Sequence, residues 1–292
     1  MIRARIAPTP SGYLHIGNVV NFAITWLWVR QNKGHLRLRI DDLDTQRAKP
    51  EYIEDIFNTL KWLGLDWDEG PQSAAEQELQ YSQKRRKDRY DEWIAKLIET
   101  NRVFACTCSR KQIEELHVCN CRQKNLPLNT PDAALRIYTP VDAIFVVNDI
   151  KRGKTEVNLY NEMRDFVIRR RDGIAAYQVA SVVDDIDFDI NLIVRGEDLI
   201  SSTAAQLYLS GLLNQNSFAE TTFYHHRLLK NEQGEKLSKS AGSVSIKSWR
   251  ESGDKPEKFY LFLSSFWGLK EPVLSLGEML EQIQTGLVKL ES

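Results

Sequence analysis

Apolar positions recur along this chain with a period that changes from segment to segment, and the changes mark out elements. Residues 3 to 7 form a short apolar strand after Arg3, PTPSGYLHIGN follows as a turn, and VVNFAITWLWVRQ is long and apolar enough for a buried helix. HLRLRIDD then alternates Leu36, Leu38 and Ile40 with Arg37 and Arg39, as expected of a strand exposed on one side. Strand, glycine-bearing turn, helix and strand open a βαβ unit with parallel strands. Residues 50 to 63 set Ile53, Ile56, Leu60 and Leu63 on one stripe of an amphipathic helix, and residues 84 to 100 show the same spacing.

From about 133 to 177 the runs shorten. ALRIY, AIFVV and DFVIRR, separated by turn residues, predict an insertion of antiparallel strands. A second α/β half begins near Tyr177, with a helix or turn, a strand ending in Arg195 and a helix from about Ser201. The tail after Ser240 is helical in pattern and too short for another large domain.

Length and composition narrow the class. The 292 residues are 42% hydrophobic and 27% charged, with 15 Gly and 9 Pro scattered along the chain, which excludes disordered, collagen-like and low-complexity proteins. Lys and Arg total 39 against 40 Asp and Glu, a net charge of -1, so any nucleic-acid binding must come from local patches. The cluster Lys84, Arg85, Arg86, Lys87 and Arg89 is one such patch, although a charge run on a helix is more often its solvated face. No apolar run approaches the roughly 20 residues of a spanning helix, and the first residues lack the build of a signal peptide, so the expected location is cytoplasmic, with no membrane partner.

All four cysteines fall between Cys106 and Cys121 as two C-x-C pairs. Bridges in an exported scaffold would be spread through the chain, so a single structural Zn2+ held by thiolates is the better reading. Cys106, Cys108 and Cys121 are expected ligands, with Cys119 or His117 as the fourth. The chain thus divides into 1–100, the first half of a nucleotide-binding fold; 101–176, a zinc-bearing insertion; 177–240, the second half; and 241–292, a helical C-terminal region.

Two short stretches carry candidate chemistry. His15 and Gly17 stand where a helix begins, and the unpaired N–H groups there favour an anion. Lys236 and Lys239, three residues apart in KLSKS after the turn-like NEQGE, would neutralise a triphosphate and follow its charge onto leaving pyrophosphate. The acidic run Asp184, Asp185, Asp187 and Asp189 invites a metal, yet part of it is expected to be structural and no metal is assigned there.

With RIAPTPSGYLHIGN, RIDDLD, LGLDWDEGP, the cysteine segment, AAYQVASVVDD, LIVRGEDLISST and KLSKS in this order, the chain resembles class I aminoacyl-tRNA synthetases of the glutamyl type. The resemblance implies an α/β fold, a Rossmann-like parallel sheet carrying a zinc-bearing α+β insertion and a short helical C-terminal region. It also implies ATP and L-glutamate as substrates, Mg2+ with the ATP, and tRNA as acceptor. Glutamyl-tRNA synthetases continue into a helical anticodon-binding region that this sequence lacks. That shortness, with the paired cysteines, resembles the glutamyl-queuosine tRNA(Asp) synthetases, which load glutamate onto queuosine in the anticodon of tRNA(Asp); a monomer is expected. The alternatives are a minimal synthetase charging a tRNA 3′ end, and a catalytically silent RNA- or amino-acid-binding paralogue.

By the same resemblance Arg5, Ala7 and Thr9 line the amino-acid pocket, with Tyr177 and Arg195 on its other side. His15, Gly17, Asn18 and Lys239 bind ATP, and His15, Lys236 and Lys239 act in catalysis. Asp41 falls where the family carries Glu, the partner of the substrate's α-ammonium, and Asn18 falls where it often carries His. The residue four before the last cysteine, here His117, often serves there as a zinc ligand.

Overall fold

The computed structural model describes residues 1–109, 112, 119–229 and 245–286. Lys236, Lys239 and His117 lie outside them.

Nine strands are described: β1 (Arg3–Ile6), β2 (His35–Leu38), β3 (Val103–Cys106), β4 (Ala134–Ile137), β5 (Ile144–Asp149), β6 (Gly153–Asn158), β7 (Phe166–Arg169), β8 (Leu192–Gly196) and β9 (Thr222–His226). Six of them form one sheet in the order β2-β1-β8-β9-β5-β6, and β3, β4 and β7 form a separate small sheet. In the large sheet β2, β1, β8, β9 and β5 run parallel, and only the edge strand β6 is antiparallel to its neighbour. This is the α/β architecture expected from the sequence.

Parallel strands need covered faces, and alternation along each strand assigns its side chains to one cover or the other. Ala4, Ile6, Leu36, Leu38, Leu192, Val194 and Tyr224 pack with helix α1 (Ile16–Gln31), helix α2 (Pro50–Trp62) and the C-terminal helices. Ile193 and Phe223 face the other way, toward the helices Lys87–Glu99, Tyr177–Asp187 and Ile200–Leu212. No helix among the described residues is long and apolar enough to cross a membrane.

Two local expectations change. The second face of β2 is not exposed: Arg37 and Arg39 are buried, because Glu69, Asp41 and Asp185 cover them with carboxylates and Phe188 stacks on Arg37. The runs expected to form one antiparallel insertion separate. β4 pairs antiparallel with β3 and β7, whereas β5 lies parallel to β9 and brings β6 with it into the main sheet. Asp149, at the end of β5, binds the backbone and ring of His225 and so fastens this junction.

Candidate active site and metal centre

From β1 the sheet grows through α1 to β2 on one side and through β8 to β9 on the other, so the strand order reverses between β1 and β8. Open α/β sheets bind ligands outside the carboxyl ends of the strands at such a point. Here it holds a cavity of about 430 Å³. Arg5, Ala7, Pro8 and Thr9 come from the end of β1, Arg39 and Asp41 from beyond β2, Arg195 and Gly196 from the end of β8, and His226 from the end of β9. His15, Gly17 and Asn18 form one wall, and Tyr177, the first residue of its helix and 44% exposed, forms part of the opposite one. Every residue assigned to glutamate or ATP within the described stretches therefore lines a single cavity.

The first wall is made by a helix start. His15 caps α1, its Nδ1 accepting the Gly17 N–H at 3.1 Å, while the Asn18 side-chain oxygen accepts the His15 N–H at 3.2 Å. Histidine is not a favoured capping residue, and its use here sets the tautomer: in the neutral ring Nδ1 is the acceptor, so the proton sits on Nε2. A Cβ on Gly17 would stand 3.0 Å from Cε1 and 3.1 Å from Nδ1 of His15. Gly17 thus makes room for the histidine as well as for a ligand. Asn18 spends its oxygen on the cap, which leaves its amide nitrogen as the donor.

The floor is a buried array of charges. Arg5 donates Nε to Asp185 Oδ1 at 2.9 Å, and Arg39 donates Nη1 to the same oxygen at 2.7 Å. Arg39 also grips both oxygens of Asp41, at 2.6 and 3.1 Å. Burial opposes the Arg39 cation, but Asp41, Asp185 and Asp184 outweigh it and hold the guanidinium well above its ordinary value. Burial likewise raises Asp41 to about 6 against the pull of Arg39. Asp185 is pushed up by burial, yet Arg5, Arg39 and Arg195 bring it below the usual carboxylate range.

Arg195 is different. It is 3% exposed and donates Nη1 to Thr203 Oγ1 at 3.2 Å and to Gln206 Oε1 at 3.1 Å. Its Nε and Nη2 are buried and have no hydrogen-bond partner among the described residues. Burial, with Arg5 and Arg39 nearby, lowers its pKa despite Tyr177 and Asp185. A buried cation edge without a partner is costly, and at the wall of a cavity it marks where an anion belongs.

Sequence reasoning passed over Arg39 as a site residue, although RIDDLD contains it, and over Asn21 and His226. His226 Nε2 lies 3.1 Å from the Asn21 side chain, and both residues line the cavity; the His225–His226 dipeptide was their only signal. The acidic run is largely structural, as expected. Asp184 accepts from Arg86, Gln83 and Tyr90, and Asp187 accepts from Arg86 and Arg89. The same bonds, with Lys87 paired to Asp91, occupy most of the basic cluster considered for RNA phosphates.

Cys106, at the end of β3, meets Cys108, Cys119 and Cys121, and all four sulfurs lie within 4.8 Å of one another. Separations of 3.4 Å for Cys106–Cys119 and Cys108–Cys121, and 3.9 Å for Cys108–Cys119, bracket the roughly 3.8 Å edge of a tetrahedron with Zn–S bonds of about 2.3 Å. The four thiols alone make a complete donor set.

Comparisons with known proteins agree with this geometry. A glutamate–tRNA ligase 2 of Halorhodospira halophila (strain DSM 244 / SL1) is 34% identical over 278 residues, covering 90% of this chain and 56% of its own length. The chain thus spans little more than half of that relative. The crystal structure of a glutamate–tRNA synthetase from Elizabethkingia anophelis superposes with a TM-score of 0.79 at 27% identity, covering 99% of this chain and 66% of its own. A glutamate tRNA ligase from Elizabethkingia meningosepticum CCUG26117, in complex with its amino acid, gives 0.77 at 27% identity, with 99% and 65% covered. Residues 1–283 match the family described as tRNA synthetases class I (E and Q), catalytic domain, and with the cavity at the β1/β8 reversal lined by its motifs the chain belongs to that family.

Proposed function

We propose that the chain activates L-glutamate with ATP and transfers the glutamyl group to queuosine in the anticodon of tRNA(Asp). The observation that carries the first half is the buried Nε–Nη2 edge of Arg195, which has no partner among the described residues and stands at the cavity wall. Glutamate offers two carboxylates and one ammonium. Its distal carboxylate fits between Arg5 and the unpartnered edge of Arg195, since guanidiniums bind carboxylates in two-pronged fashion. Its ammonium fits Asp41.

In the reaction a carboxylate oxygen of glutamate attacks the α-phosphorus of ATP, the bond to the β-phosphate oxygen breaks, and pyrophosphate leaves. The product is a mixed anhydride of glutamate and AMP. No protein nucleophile is needed, so the task is positioning and charge stabilisation. The His15 Nε2–H and the Asn18 amide would donate to phosphate oxygens at the positive end of α1. Lys236 and Lys239 are assigned to the pyrophosphate from sequence alone. Mg2+ enters as the usual companion of ATP. A Zn2+ held by the four cysteines would cross-link two short loops of the insertion, a structural part.

The choice of acceptor rests on the resemblance to the glutamyl-queuosine tRNA(Asp) synthetases, because the paired cysteines belong equally to the resemblance to glutamyl-type synthetases as a whole. A second reading, charging of a tRNA 3′ end, is favoured by the 34% identity to a glutamate–tRNA ligase. Two assays separate them. Glutamate-dependent exchange of pyrophosphate into ATP without RNA should exceed the blank; a rate equal to the blank refutes activation. Labelled glutamate should then attach to tRNA(Asp) that carries queuosine and not to the unmodified tRNA. Equal labelling of both, released by trimming the 3′ end, would establish ordinary charging.

A further inference from the structure

Behind Arg195 lies a buried string of polar groups to which the reaction just described assigns no part. β5 ends in Asp149, and its Oδ2 accepts both the backbone N–H of His225, at 2.8 Å, and a proton from its Nδ1, at 2.7 Å. The opposite ring nitrogen, Nε2, lies 2.9 Å from Thr203 Oγ1, which in turn accepts Nη1–H of Arg195 at 3.2 Å. All four side chains are buried, and they come from three strands and one helix, β5, β8, β9 and Ile200–Leu212.

The direction of each proton follows from the chemistry. Burial pushes His225 below its ordinary value, more than Asp149 can restore, so the ring is neutral near pH 7. Asp149 is raised by burial, but the His225 ring and the N–H groups of Arg152 and His225 bring it below its ordinary value, so it is an acceptor only. The single ring proton must therefore sit on Nδ1. Nε2 is then an acceptor, and the Thr203 hydroxyl proton turns to it. That choice matters because the hydroxyl has a competing acceptor, the carbonyl of Leu199 at 3.3 Å. With its proton committed to His225, Thr203 keeps a fixed rotamer and offers a lone pair to Arg195.

A second string converges on the same nitrogen. Gln206 accepts Nη1–H of Arg195 at 3.1 Å and donates to Gln178 at 3.2 Å, and Gln178 donates to Ser202 at 3.0 Å. Both strings end on Nη1. A planar guanidinium held at one corner by two acceptors in fixed directions has its opposite edge fixed as well, and that edge, Nε and Nη2, is the one without partners.

We propose that Asp149 and His225, acting through Thr203, hold the Arg195 guanidinium so that its Nε–Nη2 edge meets a carboxylate of the substrate, which makes His225 a positioning residue for amino-acid recognition. The proposal rests on the assignment of glutamate to this cavity. Preorganisation of this kind acts on affinity for the group that Arg195 binds and leaves the ATP subsite alone.

The test uses the full chain and calorimetric titration with L-glutamate and, separately, with ATP. Thr203→Val keeps the shape and removes the hydroxyl, Thr203→Ser restores it, and His225→Asn keeps the Nδ1-like donor to Asp149 while removing the acceptor to Thr203. Thr203→Val and His225→Asn should each weaken glutamate binding by about tenfold, with ATP binding changed by less than about twofold, the order expected for one polar link of about 1.4 kcal/mol. Thr203→Ser should return to within about threefold of the parent. Equal loss of glutamate and ATP affinity, or a serine variant as weak as the valine one, would reduce the string to a structural role and overturn the proposal. If His225→Asn fails to fold, the Thr203 pair decides alone. Failure of the parent protein to bind glutamate at all would overturn the functional reading, and this inference with it; normal parent binding with unaffected variants would overturn only the inference.

Discussion

Consider Arg195→Met, which exchanges the guanidinium for an apolar side chain of similar length. The parent side chain makes two hydrogen bonds, both from Nη1, and leaves Nε and Nη2 buried without partners. Two charge-assisted bonds to a carboxylate would be worth about 1.5–3 kcal/mol each, so about 3–6 kcal/mol of glutamate binding disappears with them. At about 1.4 kcal/mol per factor of ten, glutamate affinity should fall by roughly 10²- to 10⁴-fold. Stability should behave differently. Leaving Thr203 and Gln206 without a donor costs about 1–3 kcal/mol each. Removing a buried cation that its surroundings do not neutralise returns several kcal/mol. These nearly cancel, so the thermal midpoint should stay within about 4 °C of the parent. Calorimetric titration and a thermal scan on the same sample read both quantities. A drop in glutamate affinity of less than threefold would show that no anion sits on Arg195, and a midpoint lowered by more than about 10 °C would mean that the residue is there for the fold.

Glutamate affinity of the parent should weaken as pH falls through about 6, because burial places Asp41 there and the carboxylate that would meet the ammonium becomes neutral below it; Asp41→Asn should bind weakly at every pH, and a parent profile flat from pH 5 to 7.5 would refute the assignment. Gly17→Ala should lower the rate of adenylate formation by about tenfold with little change in melting, since its Cβ, 3.0 Å from the His15 ring, must displace that ring by a few tenths of an ångström; an unchanged rate would free His15 from any precise role. Purified protein should carry one equivalent of zinc and lose it in Cys106→Ser, as metal analysis would read. Full zinc in Cys119→Ser together with loss in His117→Ala would instead make His117 the fourth ligand.

Much of the fold was legible because the chain states its periods plainly. The apolar run of α1 and the alternation of Leu36 and Leu38 fixed a βαβ start, and the same reasoning found the strand ending at Arg195. Alternation, however, reports two faces without saying what covers the second. Arg37 and Arg39 read as solvent-facing, and only the tertiary fold brings Glu69 and Asp185 to them. The basic cluster at 84–89 was read chiefly as a solvated face, and its ion pairs could not be foreseen, since two of its partners, Asp184 and Asp187, are about a hundred positions away. β5 was grouped with β4 and β7 by its length and neighbours, whereas its place beside β9 depends on a long-range pairing that no local pattern encodes. The motif residues of the cavity were visible as a set. The string behind Arg195 was not, because Asp149, Thr203 and His225 are unremarkable singly and acquire meaning only from their contacts.

The place of β1 between β2 and β8 also bears on how this chain is made. β2 follows within some forty residues of the start, but the other edge of β1 pairs with β8, whose first residue is Leu192. At about 5–20 residues per second, ribosomal synthesis leaves that edge open for roughly 10 to 40 s. Exposed strand edges invite pairing with other chains, and an inward-pointing charge is one of the devices that discourage it. Arg5 stands in the middle of this edge, and its partner Asp185 is made only shortly before β8. Until then the arginine that lines the cavity would discourage a half-built sheet from finding the wrong neighbour, and a variant with an apolar residue at this position should give less soluble protein even where the finished fold tolerates it.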